Sequence, residues 1–548
     1  MRRPNAVVVP ALAFVLLLPV LLHRAGERGR GGRNSQETTR KSAVATKQAV
    51  AAEQLGDVTF QTSCSPAVES SFNRAVALLH SFQYQDAEKA FKDVAQRDPQ
   101  CAIAYWGVAM SLYHPLWESP GPDTMKQGLA AVERGESVGA KTEREKEYIA
   151  AIGAFYRDSE KLNHDMRAAA YAKAMEQLPA NYPKDREAAA FYALALLGEE
   201  PPKDDRLANR KKAAAILEVL FKEAPNHPGV AHYLIHAYDT PELAQSGLPA
   251  ARSYAKIAPS SSHALHMPSH IFSRLGLWQD SINSNVAAIK AAETPEAARN
   301  DGESYAMHAM DFLEYAYLQS GREEAARRVI EEVKTVPGAD ASMATNMQAD
   351  FGVRYEIELH HWSKAASLVA PSTSRIGLKA YVGWARVIGA ARSGDEAAAR
   401  KELADLEALE AVKQGYSAAY ADREHQEAAA WAAFAEGKRD EAVKMMRAAA
   451  DQEDAAGPEQ LTIPAREMLG DMLLEMGQPA QAAAAYETSL EKAPNRFDSL
   501  YGAARASDLT GNVAKASDYY SRLLKNCDGS APCDRPEMAE VKALLARR

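Results

Sequence analysis

The sequence has few aromatic residues and no excess of basic charge. Phenylalanine, tryptophan and tyrosine make up 7% of its 548 residues, and runs of β-branched residues are scarce, which disfavours a sheet-rich fold. Lysine and arginine total 64 against 73 acidic residues, a net charge of −9. Because no basic stripe with interleaved aromatic residues is present, we do not expect nucleic acid as a partner.

Several signatures of common catalytic sites are also missing. The sequence contains no phosphate-binding loop, no dinucleotide fingerprint and no HExxH. HYLIH, at 232–236, has the spacing of a zinc-protease helix but lacks the glutamate that would act as general base. The sequence therefore favours a binding protein over an enzyme. It leaves open an oxidative metalloenzyme, because copper and iron sites can be built from histidines alone.

Long glycine- or proline-rich linkers are absent after about residue 60, although the chain is too long for one ordinary core. An array of helical hairpins resolves this conflict, because each hairpin packs only on its neighbours. Several predicted unit starts differ by 34 residues, the period of tetratricopeptide repeats. We therefore predict an all-α, right-handed superhelical solenoid of about twelve hairpins. The predicted unit starts are Val68, Ala102, Pro228, Ser262, Met307, Asn346, Ala380, Arg423, Ile463 and Phe497.

The N-terminal region differs from the rest. Arg2 and Arg3 precede an apolar run from Ala6 to Leu22, the length of a long signal core or a short membrane span. We predict a signal peptide or membrane anchor at 1–25 and a flexible linker at 26–60. The array is divided into 61–340, which carries a histidine-rich groove, and 341–548, which ends in a capping helix. We expect an exported protein, periplasmic or membrane-anchored, although the arginines after the apolar run oppose export under the positive-inside rule.

The cysteines support export. There are four, an even number. Cys527 and Cys533 flank a short loop, and Cys64 and Cys101 would begin adjacent parallel helices, within reach of a disulfide. Two disulfides are expected, and four free thiols are the alternative.

Three stretches carry a resemblance to a known family: CAIAYWGVAMSLYHPLW, HYLIHAYDTPELA and HALHMPSHIFSRLGLW. They resemble a family of bacterial tetratricopeptide proteins, and the resemblance covers most of residues 64–320. It implies the fold and no activity. Resemblance to the repeat family also implies which residues of each unit face the concave groove: the second, fifth, ninth, twelfth and thirteenth.

Histidines recur at those places. His232 and His236 lie 34 residues before His266 and His270, and each pair takes the fifth and ninth places of its unit. Second places are taken by His263 and His308. Other polar or aromatic residues at groove places or at the groove rim are Asp239, Asp311, His80, His114, His227 and Trp106.

Pro268 lies inside the second histidine cluster. It would either kink a single helix or begin a new helix after a loop. In the second case His263 and His266 would not share a helical face with His270.

Three interpretations of the histidines remain open. They could be buried structural residues that hydrogen-bond to backbone carbonyls. They could form a metal site in which the two i, i+4 pairs supply four nitrogen ligands to zinc or copper, with Asp239 or Asp311 as a further ligand or as an acceptor. They could line a polar groove for an anionic or peptide ligand. We predict foremost a scaffold that binds a protein or peptide in its groove, and a metal-binding protein or metalloenzyme as the alternative.

Overall fold

The structure is a computed structural model in which residues from Glu53 onward form one compact unit. The described residues are all helical or irregular, without a strand. They comprise 53–547 except 117–118, 200–204, 295–296, 298–301, 411–417, 458–459 and 528–532. The predicted signal or anchor, and the linker as far as residue 52, lie outside the described residues.

Consecutive helices pack on each other as hairpins. In chain order the helices are α1 (Glu69–His80), α2 (Tyr84–Arg97), α3 (Ala102–Ser111), α4 (Pro122–Val138), α5 (Glu143–Tyr156), α6 (His164–Asn181), α7 (Arg186–Leu197), α8 (Ala208–Glu223), α9 (Pro228–Tyr238), α10 (Ala244–Ile257), α11 (Ser262–His266), α12 (Pro268–Arg274), α13 (Trp278–Ala292), α14 (Gly302–Gln319), α15 (Glu323–Glu332), α16 (Ala341–Glu358), α17 (Trp362–Ala365), α18 (Ile376–Arg392), α19 (Glu396–Glu410), α20 (Ala418–Ala435), α21 (Arg439–Ala456), α22 (Ala465–Glu475), α23 (Pro479–Lys492), α24 (Phe497–Leu509), α25 (Val513–Asn526) and α26 (Glu537–Ala546).

These helices make twelve hairpins and a terminal helix, with α11 and α12 sharing the first arm of the sixth hairpin. The predicted all-α solenoid is therefore confirmed. Ala102, Pro228, Ser262 and Phe497 each begin a helix as predicted. Pro228 takes the first position of α9, where the N–H that proline lacks would have no helical partner.

The small and large residues of the repeat pattern pack as the sequence indicates. Ala87, Ala326 and Ala482 are fully buried, and so are the bulky residues Phe91 and Tyr486. A methyl group at these alanines lets two helices approach closely, and the larger ring fills the gap to the next helix. The alternation of alanine with large residues therefore marks where neighbouring helices contact each other.

Residues 53–60 are not a free linker, which corrects the predicted boundary at residue 60. Leu55 and Phe60 are buried, and the backbone N–H of Asp57 donates to the carbonyl of Asn226 at 3.0 Å. The two apolar side chains give this segment enough buried surface to hold it against the turn before α9.

Both predicted cysteine pairs lie at bonding distance, Cys64 with Cys101 and Cys527 with Cys533. The first pair ties the segment before α1 to the start of α3. Among the described residues, no helix combines the length and the apolar character needed to span a bilayer. The Ala6–Leu22 run lies outside the described residues.

The turn after α1 inserts against helices far along the chain. The hydroxyl of Tyr254 donates to the hydroxyl of Ser81 at 3.1 Å, and that of Tyr305 donates to the carbonyl of Phe82 at 2.7 Å. The first hairpin is thereby fixed against α10 and α14. These two contacts place the turn after α1 against the histidine-bearing helices.

The C-terminal hairpins cover the same helices from the other side. The indole N–H of Trp278 donates to the carbonyl of Asn495 at 2.9 Å, and the amide of Gln460 donates to the carbonyl of His270 at 2.6 Å. These contacts cross residue 340, so they join the two predicted arrays.

A buried arginine strengthens this junction. Arg496 is fully buried, and its guanidinium contacts Glu467 at 2.7 Å and Glu358 at 3.0 Å. It also donates to the hydroxyl of Tyr315 at 3.1 Å. One side chain therefore pairs with two buried carboxyl groups from α16 and α22 and contacts α14.

Replacing Arg496 by methionine should destabilise the protein strongly, because Glu358 and Glu467 would remain buried without a counter-charge. Loss of one partner of a buried ion pair costs about 3–5 kcal/mol. The free energy of unfolding of Arg496→Met, measured by urea denaturation, should be lower than that of the parent protein by this amount. The control Arg447→Met changes a residue on the exposed face of α21, and its free energy of unfolding should be close to that of the parent. Equal stabilities of the two variants would contradict the role of Arg496 as the counter-charge of Glu358 and Glu467.

Candidate metal centre

Six histidines converge from four helices. α9 carries His232 and His236, α11 carries His263 and His266, α12 carries His270, and α14 carries His308. They form two groups of three, in each of which one nitrogen from every ring lies within 4.8 Å of the others. We call His232, His236 and His263 the α9 triplet, and His266, His270 and His308 the α12 triplet. The four histidines of the two i, i+4 pairs are thus divided between two sites, with a third histidine completing each.

The backbone at Pro268 explains this division. α11 ends at His266 and α12 begins at Pro268, but Met267 between them keeps helical angles, φ −51° and ψ −35°. Ser262–Met267 is therefore not a loop, and His266 and His270 remain one turn apart on one face. His263 lies nearly a turn before His266 and contributes to the other triplet.

Close contacts between ring nitrogens define the α9 triplet. Nε2 of His232 lies 3.1 Å from Nε2 of His236 and 3.2 Å from Nε2 of His263. The Nδ1 of His232 donates to the backbone carbonyl of His80 at 2.7 Å, which leaves a lone pair on its Nε2. A single lone pair cannot accept well from two neighbours at once, whereas one cation between the three nitrogens would bind them all.

Gly229 makes this arrangement sterically feasible. A Cβ atom at residue 229 would lie 2.3 Å from Nδ1 of His80. Because glycine has no Cβ, α9 approaches α1 closely enough for His232 to reach the carbonyl of His80.

The α12 triplet shows the same construction. Nε2 of His266 lies 3.0 Å from Nε2 of His270. Nδ1 of His266 contacts the side-chain oxygen of Asn285 at 2.7 Å, and the amide nitrogen of Asn285 donates to the carbonyl of Ser281. His266 is therefore the donor to Asn285, and its Nε2 carries a lone pair.

Asp239 orients the second ring of this triplet. Its carboxylate accepts from Nδ1 of His270 and from Nε of Arg274, both at 2.9 Å. Although burial alone would raise it, Arg274 and His270 hold the pKa of Asp239 well below its usual range. Such carboxylate–histidine contacts fix the tautomer of metal-binding histidines.

The contact between His266 and His270 therefore brings two lone pairs together at 3.0 Å. Either an additional proton or a metal cation between them would stabilise this contact. In a tetrahedral site with metal–nitrogen bonds of ~2.0–2.1 Å, the nitrogens are about 3.3 Å apart. The spacings of His232 from His236 and His263, 3.1 and 3.2 Å, and of His266 from His270, 3.0 Å, are close to that value.

Burial favours the neutral form of several of these imidazoles. It lowers the pKa of His232 to about 3. Burial, followed by the neighbouring imidazoles, also lowers the pKa of His236, His263 and His266 well below the usual value. Metal binding requires neutral imidazole, so this environment favours it over protonation.

One phenylalanine covers each triplet. The Phe82 ring centroid lies 4.3–5.7 Å from the three rings of the α9 triplet. The Phe312 ring centroid lies 4.5–5.4 Å from those of the α12 triplet. Solvent still reaches the site, since His236 and His270 are half-buried and His308 is exposed.

Two other predicted histidines have structural surroundings. His80 and His227 both contact the buried carboxylate of Glu187, at 2.8 and 3.0 Å. The second ring nitrogen of His80 contacts Tyr233, and that of His227 accepts from the N–H of Val230 and caps α9. This buried network supports the carbonyl that orients the α9 triplet.

The remaining candidates lie outside both triplets. Trp106 was expected in the groove, but its ring is fully buried among core aromatic residues. His114 stacks on Tyr84 with its Nε2 at 3.0 Å from the carbonyl of Ser111. Asp311 pairs with Arg354 at 2.6 Å. Of the two predicted aspartates, only Asp239 therefore contacts a histidine of a triplet.

Sequence reasoning missed four residues that shape the site: Phe82, Glu187, Asn285 and Phe312. Phe312 could have been found from the sequence, because it follows His308 by four residues and therefore lies on the same helical face. Phe82 and Glu187 come from other hairpins, and Asn285 comes from the second arm of the hairpin that carries His266. None of the three has a local sequence signal.

Comparison with known proteins identifies the repeat type. A family model described as a tetratricopeptide repeat matches residues 72–114 and 467–531. No curated protein matches the sequence.

Among solved structures, the human IFIT1 dimer with m7Gppp-AAAA is 12% identical, with 78% of this chain and 90% of that chain covered and a TM-score of 0.37. The APC/C hetero-tetramer Cut9–Hcn1 is 12% identical, with 87% and 89% covered and a TM-score of 0.32. Likeness of this degree carries no information about function.

The pH dependence of stability tests the burial of neutral imidazole. With chelator present, a histidine whose folded pKa is lowered stabilises the fold above pH 6.5, and that stability is lost as the pH falls below 6.5 toward the folded pKa. The destabilisation caused by His266→Asn should therefore shrink by about 2 kcal/mol between pH 7 and pH 5.

The comparison is between variant and parent, because buried carboxyl groups such as Asp471, whose pKa is raised to about 6, titrate in the same range. Ile271→Val, a buried neighbour that does not titrate, is the matched control and should give a pH-independent difference. Parallel pH trends for the two variants would argue against a neutral buried His266.

Proposed function

We propose that this protein is a metal-binding helical-repeat protein that holds a zinc or copper ion at each histidine triplet. The observation that carries the proposal is the convergence of three ring nitrogens within 4.8 Å in each of two neighbouring groups. In both groups, hydrogen bonds at Nδ1 aim Nε2 toward the shared centre. This is the arrangement that metal-binding histidines adopt.

The donor set favours a transition metal. Imidazole is a common ligand of zinc, copper, iron and nickel, whereas magnesium, calcium and manganese prefer carboxylate and carbonyl oxygens. Three protein ligands also leave a coordination position open, as catalytic zinc sites do and closed structural sites do not. An ion held in this way could therefore accept a further ligand from solvent.

A shared proton is the competing explanation. A proton between His266 and His270, stabilised by Asp239, would account for their contact without a metal. It would not account for the convergence of three nitrogens in both triplets. Metal analysis separates the two explanations directly.

Binding of a protein or peptide in the groove has less support at this place. Tetratricopeptide repeats in general present a concave surface to partners. Here the chain itself lies on the histidine-bearing helices, through Phe82 from one side and Gln460 from the other. A partner protein would need another surface of the array.

We also propose that the protein is exported. Two cysteine pairs at bonding distance, with no free cysteine among the described residues, support an oxidising compartment. The apolar run Ala6–Leu22 supplies the candidate signal or anchor.

Protein purified without a histidine tag should bind two equivalents of zinc or copper, as measured by elemental analysis after dialysis against a weak chelator. His236→Ala and His308→Ala remove one accessible ligand from different triplets, and each should reduce the bound metal to about one equivalent, because a site left with two ligands binds far more weakly. Far-ultraviolet circular dichroism checks that both variants remain folded.

The control variants are His361→Ala and His425→Ala, which lie outside both triplets and should retain two equivalents. If all four variants bind as much metal as the parent, or the parent binds none, the proposal is wrong.

Export can be tested by fusion of a reporter that folds only in the cytoplasm after Lys41. An exported chain should give no reporter signal, because the apolar run would carry the reporter out of the cytoplasm. Deletion of 6–22 should restore the signal. Full activity of the undeleted fusion would reject export.

A further inference from the structure

The two triplets repeat one another at the next position of the array. Adding 34 to His232 and His236 gives His266 and His270, and the third ligands, His263 and His308, both come from the first arm of the following hairpin. The same three places of two successive units are thus used twice. The two sets of histidine ligands therefore lie side by side on adjacent hairpins, at the spacing of neighbouring helices.

Ring separations show how close the two triplets are. The centroids of His263 and His266 are 6.0 Å apart, and those of His236 and His270 are 6.2 Å apart. Ring separations inside the triplets range from 4.4 to 5.9 Å. With metal–nitrogen bonds of about 2 Å, ions at the two centres would be separated by roughly 4–6 Å. That separation approaches the ~3.5–4 Å found in two-metal sites.

Charge requires an additional ligand. Six neutral imidazoles leave the four positive charges of two divalent ions uncompensated. The nearest carboxylate, that of Asp239, is already paired with Arg274. Asp311 is paired with Arg354. An anion from solution is therefore needed to stabilise two dications in this partly buried place.

The surroundings limit the size of that anion. Phe82 lies against one triplet and Phe312 against the other, and both rings are buried. Solvent reaches the centre beside His236, His270 and His308. Because facing rings of the two triplets are only 6.0–6.2 Å apart, we expect the bridging ligand to have one to three atoms.

We propose that the two triplets form one dinuclear centre in which two copper ions share a small bridging anion, such as hydroxide or azide. Copper is favoured because it binds nitrogen ligands most tightly among the divalent ions of the first transition series. This inference rests on the proposed metal-binding function and adds that the two ions act as a pair.

The test uses full-length apoprotein loaded with two equivalents of copper(II), with electron paramagnetic resonance as the readout. A bridged pair couples its unpaired electrons, so the integrated signal should fall well below two copper ions per chain, or show dipolar broadening with a half-field transition. His308→Ala, loaded with one equivalent, should instead give an isolated axial signal that integrates to one copper ion.

Azide provides the second measurement. One azide per two copper ions should bind to the parent protein, and binding to His308→Ala should weaken by about tenfold or more, because only one ion remains to hold it. His425→Ala should behave as the parent does.

The outcomes separate the two proposals. If two copper ions are retained and give two independent axial signals that integrate fully, the dinuclear centre is wrong and the metal-binding function stands. If the parent retains fewer than two copper ions, the dinuclear copper centre is wrong. If it retains neither two copper nor two zinc ions, the proposed function fails with it.

Discussion

The hydrogen bonds at Nδ1 are the interactions on which the histidine centre depends. An imidazole ring can rotate about its two side-chain torsions, and six such rings would point in many directions if only packing held them. The carbonyl of His80 fixes His232, Asn285 fixes His266 and Asp239 fixes His270. Each bond assigns the proton to Nδ1 and leaves Nε2 as the inward-facing base. The acceptors come from α1, α13 and the end of α9, so several hairpins cooperate in orienting one site.

The repeat architecture supplies the spacing between the two triplets. In an array of similar hairpins, residues at equivalent places of successive units lie side by side. A histidine placed at one position needs only to recur one unit later for a second ligand set to form next to the first. His263 and His308 lie eleven residues further apart than one period, and His308 still joins the α12 triplet. The hairpin pattern thus tolerates a departure from the 34-residue period while it preserves the faces of the helices.

The fold and the histidine pairs could be predicted because both follow from local periodicity. Ala87, Ala326 and Ala482 mark helix contacts, and the spacing of His232 from His266 marks equivalent faces. The division into two triplets could not be predicted, because it depends on the helical backbone at Met267 and on the direction of His263. Phe82, Glu187 and Asn285 were missed for a related reason. Their roles arise from contacts between helices that no sequence period marks. The groove position expected for Trp106 is wrong because it assumed an open array.

The contact between the Tyr305 hydroxyl and the carbonyl of Phe82 joins residues 223 positions apart. An open solenoid makes only contacts between neighbours, so it can nucleate anywhere and lose its terminal repeats one at a time. Here the first hairpin is bound to the seventh, and residue 496 to hairpins far upstream, so large loops must close before those contacts form. Folding should consequently be slow for a helical protein, and melting should be a single cooperative event across the array.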